Sequence, residues 1–197
     1  KHVFTRALEN GAKIAGYITP EYIKDMGTPD RLEKVAADIA GGKVARLNIE
    51  NSRPAIFLDR DGVINKEIDL LHRAEDLELL PGAAEVVKKI NKAGYLAVVV
   101  TNQPVIARNL LDFDELRQIH NKMESLLGQE GAYLDALYFC PHHPDSGYPE
   151  ERKEYKIKCD CRKPAPGMLL DAQKQLNIDL AKSYIIGDRE SDIAAGK

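Results

Sequence analysis

"AIFLDRDGVIN" (Ala55–Asn65) decides how the rest of the chain is read. Its first four residues are apolar without a polar break, which fits a strand covered on both faces. Two carboxylates follow, Asp59 and Asp61, and then Gly62 for a turn. Carboxylates two residues apart beyond a strand end can face one crevice. One can attack an electrophile while the other handles a proton. Taken alone, the stretch also reads as an ordinary turn.

Outward from it the pattern becomes regular. "PGAAEVVKKINKAG" (Pro81–Gly94) predicts a helix stopped by glycine. "YLAVVVTN" predicts a second strand and "DFDELRQIHNKMESLLGQEG" a second helix. "LDALYFC" predicts a third strand, "PGMLLDAQKQLN" a third helix and "SYIIGD" a fourth strand. Strand and helix alternate, so the expected fold is α/β, a Rossmann-like parallel sheet flanked by helices. Asp59, Thr101 and Asp188 each close a predicted strand, and ligands of such sheets bind at that edge.

Three further stretches place polar groups at the same edge. "VVVTNQ" brings the donors Thr101 and Asn102. "CRKP" brings Arg162 and Lys163 just before a helix. "IIGDRESD" brings Asp188 and Asp192. Each has a bland reading as a solvated loop, a charge pair or a helix cap, but together and in this order they point to a catalytic crevice.

These residues resemble the haloacid dehalogenase superfamily of phosphatases, whose four motifs match Asp59-Arg60-Asp61-Gly62, Thr101, Lys163 and Gly187-Asp188 with Asp192. From about Pro54 to Lys197 the similarity is closer to the heptose-1,7-bisphosphate 7-phosphatase family, carried by "LDRDGVIN", "VVVTNQ", "CPHHP", "CDCRKPAPGMLL" and "SYIIGD". The resemblance implies removal of the 7-phosphate of a sugar bisphosphate through an aspartyl-phosphate on Asp59. Asp61 would be the general acid and base, with Thr101 and Lys163 on the phosphoryl group. It also implies a Mg²⁺ held by the Asp59 carboxylate, the Asp61 backbone carbonyl and Asp188, with Asp192 in support. Arg60, Asn102, Gln103 and Arg162 are the expected substrate contacts; the planar fork of Arg162 suits a phosphate or sugar. Histidinol-phosphate phosphatases share this architecture and are the alternative. A non-catalytic zinc-stabilised interaction domain is the alternative of another class.

All three cysteines lie in one hydrophilic stretch, Cys140–Cys161. C-x-H, sixteen residues and C-x-C supply Cys140, His142, Cys159 and Cys161, a ligand set for a closed, structural tetrahedral Zn²⁺. The loop carries Glu150, Glu151, Arg152, Lys153 and Glu154 and little to bury, so a metal clip is expected to order it. In the family this loop stands where larger relatives carry a cap domain. His143 is left to face substrate or solvent.

Three positions depart from the family pattern, one of them Asn109, where glycine is usual after "IAR". Pro104 and Val105 stand where Ser-Gly is usual after "TNQ", removing an N–H and a flexible residue beside Thr101. The chain also stops just after the fourth motif, and the phosphatase domain, 54–197, is expected to be truncated there.

"NIENSRP" (Asn48–Pro54) reads as a linker. Before it lie a strand candidate, "KIAGYI", and a helix from Pro29 to about Ala40 with Thr28 as N-cap. "GYITPEYIKDMGTPDRLEKV" resembles the carboxyl-terminal part of a sugar-1-phosphate nucleotidyltransferase, where the residue matching Asp25 helps to bind Mg²⁺. Residues 1–50 are therefore expected to be a remnant of such a domain. A fusion would join two consecutive steps, since a 7-phosphatase leaves the sugar 1-phosphate that a nucleotidyltransferase consumes.

Of the 197 residues, 44% are hydrophobic and 30% charged, with a formal charge of −3 and no basic patch. Nucleic acid and membrane are not expected partners, and a monomer is expected for the phosphatase domain. The start "KHVFTRALENGAKIAG" has no apolar signal segment and no initiator Met. Clustered thiols without an export signal fit a metal site in the reducing cytoplasm.

Overall fold

The computed structural model describes residues 2–14, 19, 21–145, 147 and 150–197. The chain divides into two compact units, Lys1–Leu47 and Asn48–Lys197. The first holds α1 (His2–Glu9), α2 (Pro29–Ala40) and α3 (Lys43–Arg46). Thr28 occupies the N-cap position of α2 with extended backbone, but its side chain makes no capping bond; Pro29 opens the helix. Val35 is the one buried apolar side chain among the described residues of this unit. The strand expected over "KIAGYI" falls largely on residues 15–18, outside the described residues.

The second unit is built on four parallel strands, β1 (Ala55–Leu58), β2 (Leu96–Asn102), β3 (Ala136–Cys140) and β4 (Tyr184–Ile186). Their order is β3-β2-β1-β4, and Phe57 pairs with both Val98 and Ile185. The chain steps outward from β1 to β3 and then returns to lay β4 on the other side of β1. The direction of winding therefore reverses between β1 and β4, which is where a crevice opens in sheets of this kind.

Helices α4 (Ala83–Ala93), α5 (Phe113–Gln129), α6 (Gly167–Leu176) and α7 (Glu190–Ala195) cover the sheet. Successive residues of β2 face opposite sides. Ala97 and Val99 pack with Val87, Ile90, Leu116 and Ile119 of α4 and α5. Val98 and Val100 pack with Met168, Leu169 and Ala172 of α6. Both faces are covered, which is why β2 carries a continuous apolar run rather than alternation. Gly94 ends α4 in the left-handed region, at φ 84°. Asp112 and Glu115 close a capping box at the start of α5. No described helix is long and apolar enough to cross a membrane.

Candidate active site

The Asp59 N–H donates to the Ile186 carbonyl at 2.9 Å, fixing the end of β1 against β4. The loop then turns at Gly62, with φ 78°, where a Cβ would collide with the Asp188 carboxylate. Glycine here lets the two strand-end loops approach closely. Beside them lies a cleft of about 280 Å³, lined among others by Asp59, Asp61, Thr101, Arg162 and Lys163.

Lys163 is the hub of the cleft floor. Its ammonium donates to the Val100 carbonyl at 2.8 Å, lies 3.1 Å from Asp59 Oδ1 and ion-pairs with Asp192. The backbone of Lys163 is gripped by the Asn102 amide, which donates to its carbonyl and accepts from its N–H, both at 3.0 Å. Asn102 lines the cleft, but both polar atoms of its side chain serve Lys163. Gln103, 2% exposed, donates to Asp61 at 2.8 Å and to Thr101 Oγ1 at 2.9 Å. Thr101 accepts that bond, so its own hydroxyl proton is left to donate elsewhere.

Arg60 departs from expectation. Its side chain is fully buried and does not line the cleft. Its Nε and Nη2 fork onto Asp61 at 2.8–3.1 Å, and Nη1 lies 3.3 Å from His120 Nε2 on α5. It serves Asp61 and does not reach a substrate in the cleft. Arg162 does line the cleft, with one guanidinium nitrogen donating to the His142 carbonyl at 3.0 Å.

Burial raises the Asp59 carboxyl above the ordinary range; Lys163 opposes this and Asp192 adds to it. Burial also works to raise Asp61, but Arg60 and the amides of Asn65 and Gln103 together hold it below the ordinary range. His120 is pushed down to about 3, by burial first and then by the Arg60 charge, so it is neutral near pH 7.

Asp59, Asp188 and Asp192 bring carboxylate oxygens within 4.8 Å of one another, a hard-oxygen set that suits Mg²⁺.

Cys140, His142, Cys159 and Cys161 also converge within 4.8 Å. Their sulfur–sulfur separations are 3.1–3.5 Å, and His142 Nδ1 lies 3.4 and 3.6 Å from two of the sulfurs. A tetrahedron with Zn–S bonds of about 2.3 Å has edges of about 3.8 Å, so the four atoms fit that ion with a slight expansion. The loop buries more than its composition suggests. Glu151 and Lys156 pair at 2.6 Å with side chains 9% and 10% exposed. The Tyr155 ring packs 5.7 Å from Phe113 and 5.9 Å from His142.

Val105 sits in the core, 1% exposed, without a left-handed backbone, so valine is accommodated there; Asn109 instead takes φ 56°. Pro104 lines the cleft. Asp25 accepts from the Gly27 N–H at 2.8 Å and ion-pairs with Arg31.

Two features carried no spacing signal, the Glu67–Arg189 pair in the cleft and the buried His120. Glu67 and Arg189 pair at 2.8 Å between the loops after β1 and β4. His143, expected to face substrate or solvent, lines the cleft. His120 reaches Arg60 from sixty residues away, and only its place on the apolar stripe of α5 hints that it is buried.

The HAD-hydrolase-like family matches residues 160–197. A protein of Photorhabdus laumondii subsp. laumondii, named D-glycero-beta-D-manno-heptose-1,7-bisphosphate 7-phosphatase, is 45% identical over 142 residues, covering 72% of this chain and 73% of that protein. The structure of D,D-heptose 1,7-bisphosphate phosphatase from B. bronchiseptica, complexed with magnesium and phosphate, is 37% identical with a TM-score of 0.63. The match covers 72% of this chain and 74% of that one. A candidate HAD-like phosphatase from Mesorhizobium loti is 36% identical with a TM-score of 0.68, over 74% of this chain and 68% of the other.

Proposed function

Because the chain belongs to the haloacid dehalogenase-like phosphatases, we propose that it removes the 7-phosphate of D-glycero-D-manno-heptose 1,7-bisphosphate. The observation that carries the mechanism is the placement of Asp59: it lines the cleft and lies 3.1 Å from the Lys163 ammonium. A carboxylate and a phosphate monoester repel each other, so an attack by Asp59 needs fixed positive charge at the point of approach.

In the first step an Asp59 oxygen forms a bond to phosphorus as the bond from phosphorus to the ester oxygen breaks. The electron pair leaves on that oxygen, which takes a proton from the carboxylic acid form of Asp61, a form that Arg60, Asn65 and Gln103 disfavour at rest, and departs as the alcohol. In the second step Asp61 takes a proton from water, whose oxygen attacks phosphorus. The bond from phosphorus to Asp59 breaks and inorganic phosphate is released. Thr101 donates to the phosphoryl oxygens, and Lys163, held by Asn102 and Val100, offsets their charge. The Asp59 carboxylate, the Asp61 backbone carbonyl and Asp188, supported by Asp192, would hold Mg²⁺, which when bound supplies further charge neutralisation at the phosphoryl group. Cys140, His142, Cys159 and Cys161 would hold a structural Zn²⁺ that stiffens the loop leading into Arg162. Arg162 is the candidate contact for the sugar or its second phosphate.

Residues 1–50 are proposed as a nucleotidyltransferase remnant, on the strength of "DMGTPDRL" alone. A metal role for Asp25 would require it to release Arg31.

The test is phosphate release with Mg²⁺ from heptose 1,7-bisphosphate, histidinol phosphate and fructose 1,6-bisphosphate. The highest kcat/KM on the heptose bisphosphate is expected. Preference for histidinol phosphate would overturn the substrate assignment.

A further inference from the structure

Asp61 is held by three separate side chains. Asn65 donates to it at 2.9 Å, Gln103 at 2.8 Å, and the Arg60 fork at 2.8–3.1 Å. Of the three, Arg60 alone carries charge and is itself fully buried. A guanidinium away from water needs partners for its remaining N–H groups. The Nη1 edge faces one, His120 Nε2, at 3.3 Å. That contact accepts a bond from Arg60 when His120 is neutral, which matches the depressed basicity of its ring. The ring itself is set by α5 and by Phe139, at a centroid distance of 5.6 Å. Arg60 thus has its far edge tied to a helix and its near fork clamped on the carboxylate that the proposed mechanism uses for proton transfer.

We infer that Arg60 and His120 form a buried positioning pair that aims the Asp61 carboxylate at the ester oxygen. The inference rests on the phosphatase mechanism proposed above, but concerns residues that touch neither substrate nor phosphoryl group. A forked guanidinium fixes the plane of a carboxylate as well as its place, which a point charge cannot do. Proton transfer is sensitive to that geometry, whereas attack by Asp59 and the charge of Lys163 are not set by it.

The leaving group separates the two. A primary alkoxide needs its proton as it departs. A nitrophenolate does not, so an aryl phosphate makes little demand on Asp61 up to release of the first product, the span that kcat/KM reports. His120→Leu removes the acceptor and is expected to lower kcat/KM for heptose 1,7-bisphosphate about tenfold more than for p-nitrophenyl phosphate, a fraction of what a general acid contributes. His120→Gln, whose amide oxygen can accept from Arg60, should restore the ratio towards that of wild type. Should His120→Leu fail to fold, Arg60→Lys makes the same test, since lysine keeps the charge and loses the fork. An equal fall for both substrates, or an unchanged ratio in Arg60→Lys, overturns the positioning role. A wild-type chain that hydrolyses the aryl phosphate but not the heptose bisphosphate overturns the substrate reading instead, and the pair is then tested on whichever primary alkyl phosphate the enzyme turns over.

Discussion

The ammonium of Lys163 lies 3.1 Å from Asp59 Oδ1, with the two side chains 1% and 10% exposed. A cation at this depth opposes the effect of burial on the candidate nucleophile, which faces the cleft. Asp59→Asn should therefore abolish phosphate release while leaving the fold intact. The amide keeps the shape and cannot form an acyl-phosphate. It removes one counter-charge of Lys163 but also relieves a buried carboxylate beside Asp192 whose charged form burial disfavours, so the melting temperature is expected to stay near that of wild type. Turnover near wild type in the purified, folded variant would remove Asp59 from the nucleophile role.

Asp192 is the other anchor of that ammonium, itself 1% exposed and accepting from the Arg189 N–H at 3.1 Å. Asp192→Asn keeps the shape and removes one of two counter-charges. The expected cost is about 3 kcal/mol, the low end for breaking a buried pair because Asp59 still faces Lys163. Urea unfolding of the two proteins measures it, and a difference below about 1 kcal/mol would show that Asp59 alone suffices.

The strands were legible because each is an apolar run closed by polar groups, and the parallel order follows from alternation with helices. Boundaries moved little: Pro81 and Gly82 stand before α4, and Gly82 takes φ 82° as its N-cap. Residues at strand ends could be assigned to one crevice because the topology forces them there. Arg60 could not. Between two carboxylates it looks like a phosphate ligand, but its side chain turns into the protein, towards an α5 partner with no local sequence signal. Gln103 and Asn102 do line the cleft, yet their side chains bond to the site's own residues, Asp61, Thr101 and Lys163, which the sequence does not signal. The order of the 150–156 segment was hidden too, because Tyr155 and the Glu151–Lys156 pair find their burial against partners that composition does not reveal.

His120 predicts a pH dependence of stability. Its folded-state pKa is pushed down to about 3, against about 6.5 when unfolded. The unfolded chain therefore binds more protons between those values. The contribution is fully present above about pH 6.5 and is lost as pH falls toward 3. From pH 7 to pH 5 the loss is about 2 kcal/mol. Asp59, raised by burial, works in the opposite sense but is common to wild type and His120→Gln. The difference between the two proteins in urea at pH 7 and pH 5 isolates the histidine. Parallel curves would mean that the ring takes up its proton as readily in the folded state as in the unfolded one.

The four converging thiol and imidazole ligands predict one zinc per chain that survives dialysis and is distinct from added Mg²⁺. Elemental analysis should find about one equivalent. Cys159→Ser should lower it and expose the 141–161 segment to protease. A wild-type protein free of zinc, with three titratable thiols and a protected loop, would show that Tyr155 and the Glu151–Lys156 pair order the segment unaided.

Arg162 follows the ligand Cys161 directly, and one of its guanidinium nitrogens is spent on the His142 carbonyl at 3.0 Å. That bond ties the arginine to the far arm of the thiol cluster and leaves the rest of the fork beside the cleft. Its neighbour Lys163 points to Asp59 and the phosphoryl position, so Arg162 is left to meet a more distant part of the substrate. Arg162→Ala should then weaken a bisphosphate more than a small aryl phosphate, which has no second anion to lose. A charge-assisted contact contributes about 1.5–3 kcal/mol, or roughly ten- to a hundredfold in the ratio of the two kcat/KM values. The fall should appear mainly in KM, because the contact is made equally in the ground and transition states. Arg162→Lys should recover only part of it, since lysine cannot hold the His142 carbonyl and the substrate with one planar group. Equal losses on both substrates would place Arg162 on the transferring phosphoryl group, and an unchanged ratio with reduced zinc content would make it a strut of the loop.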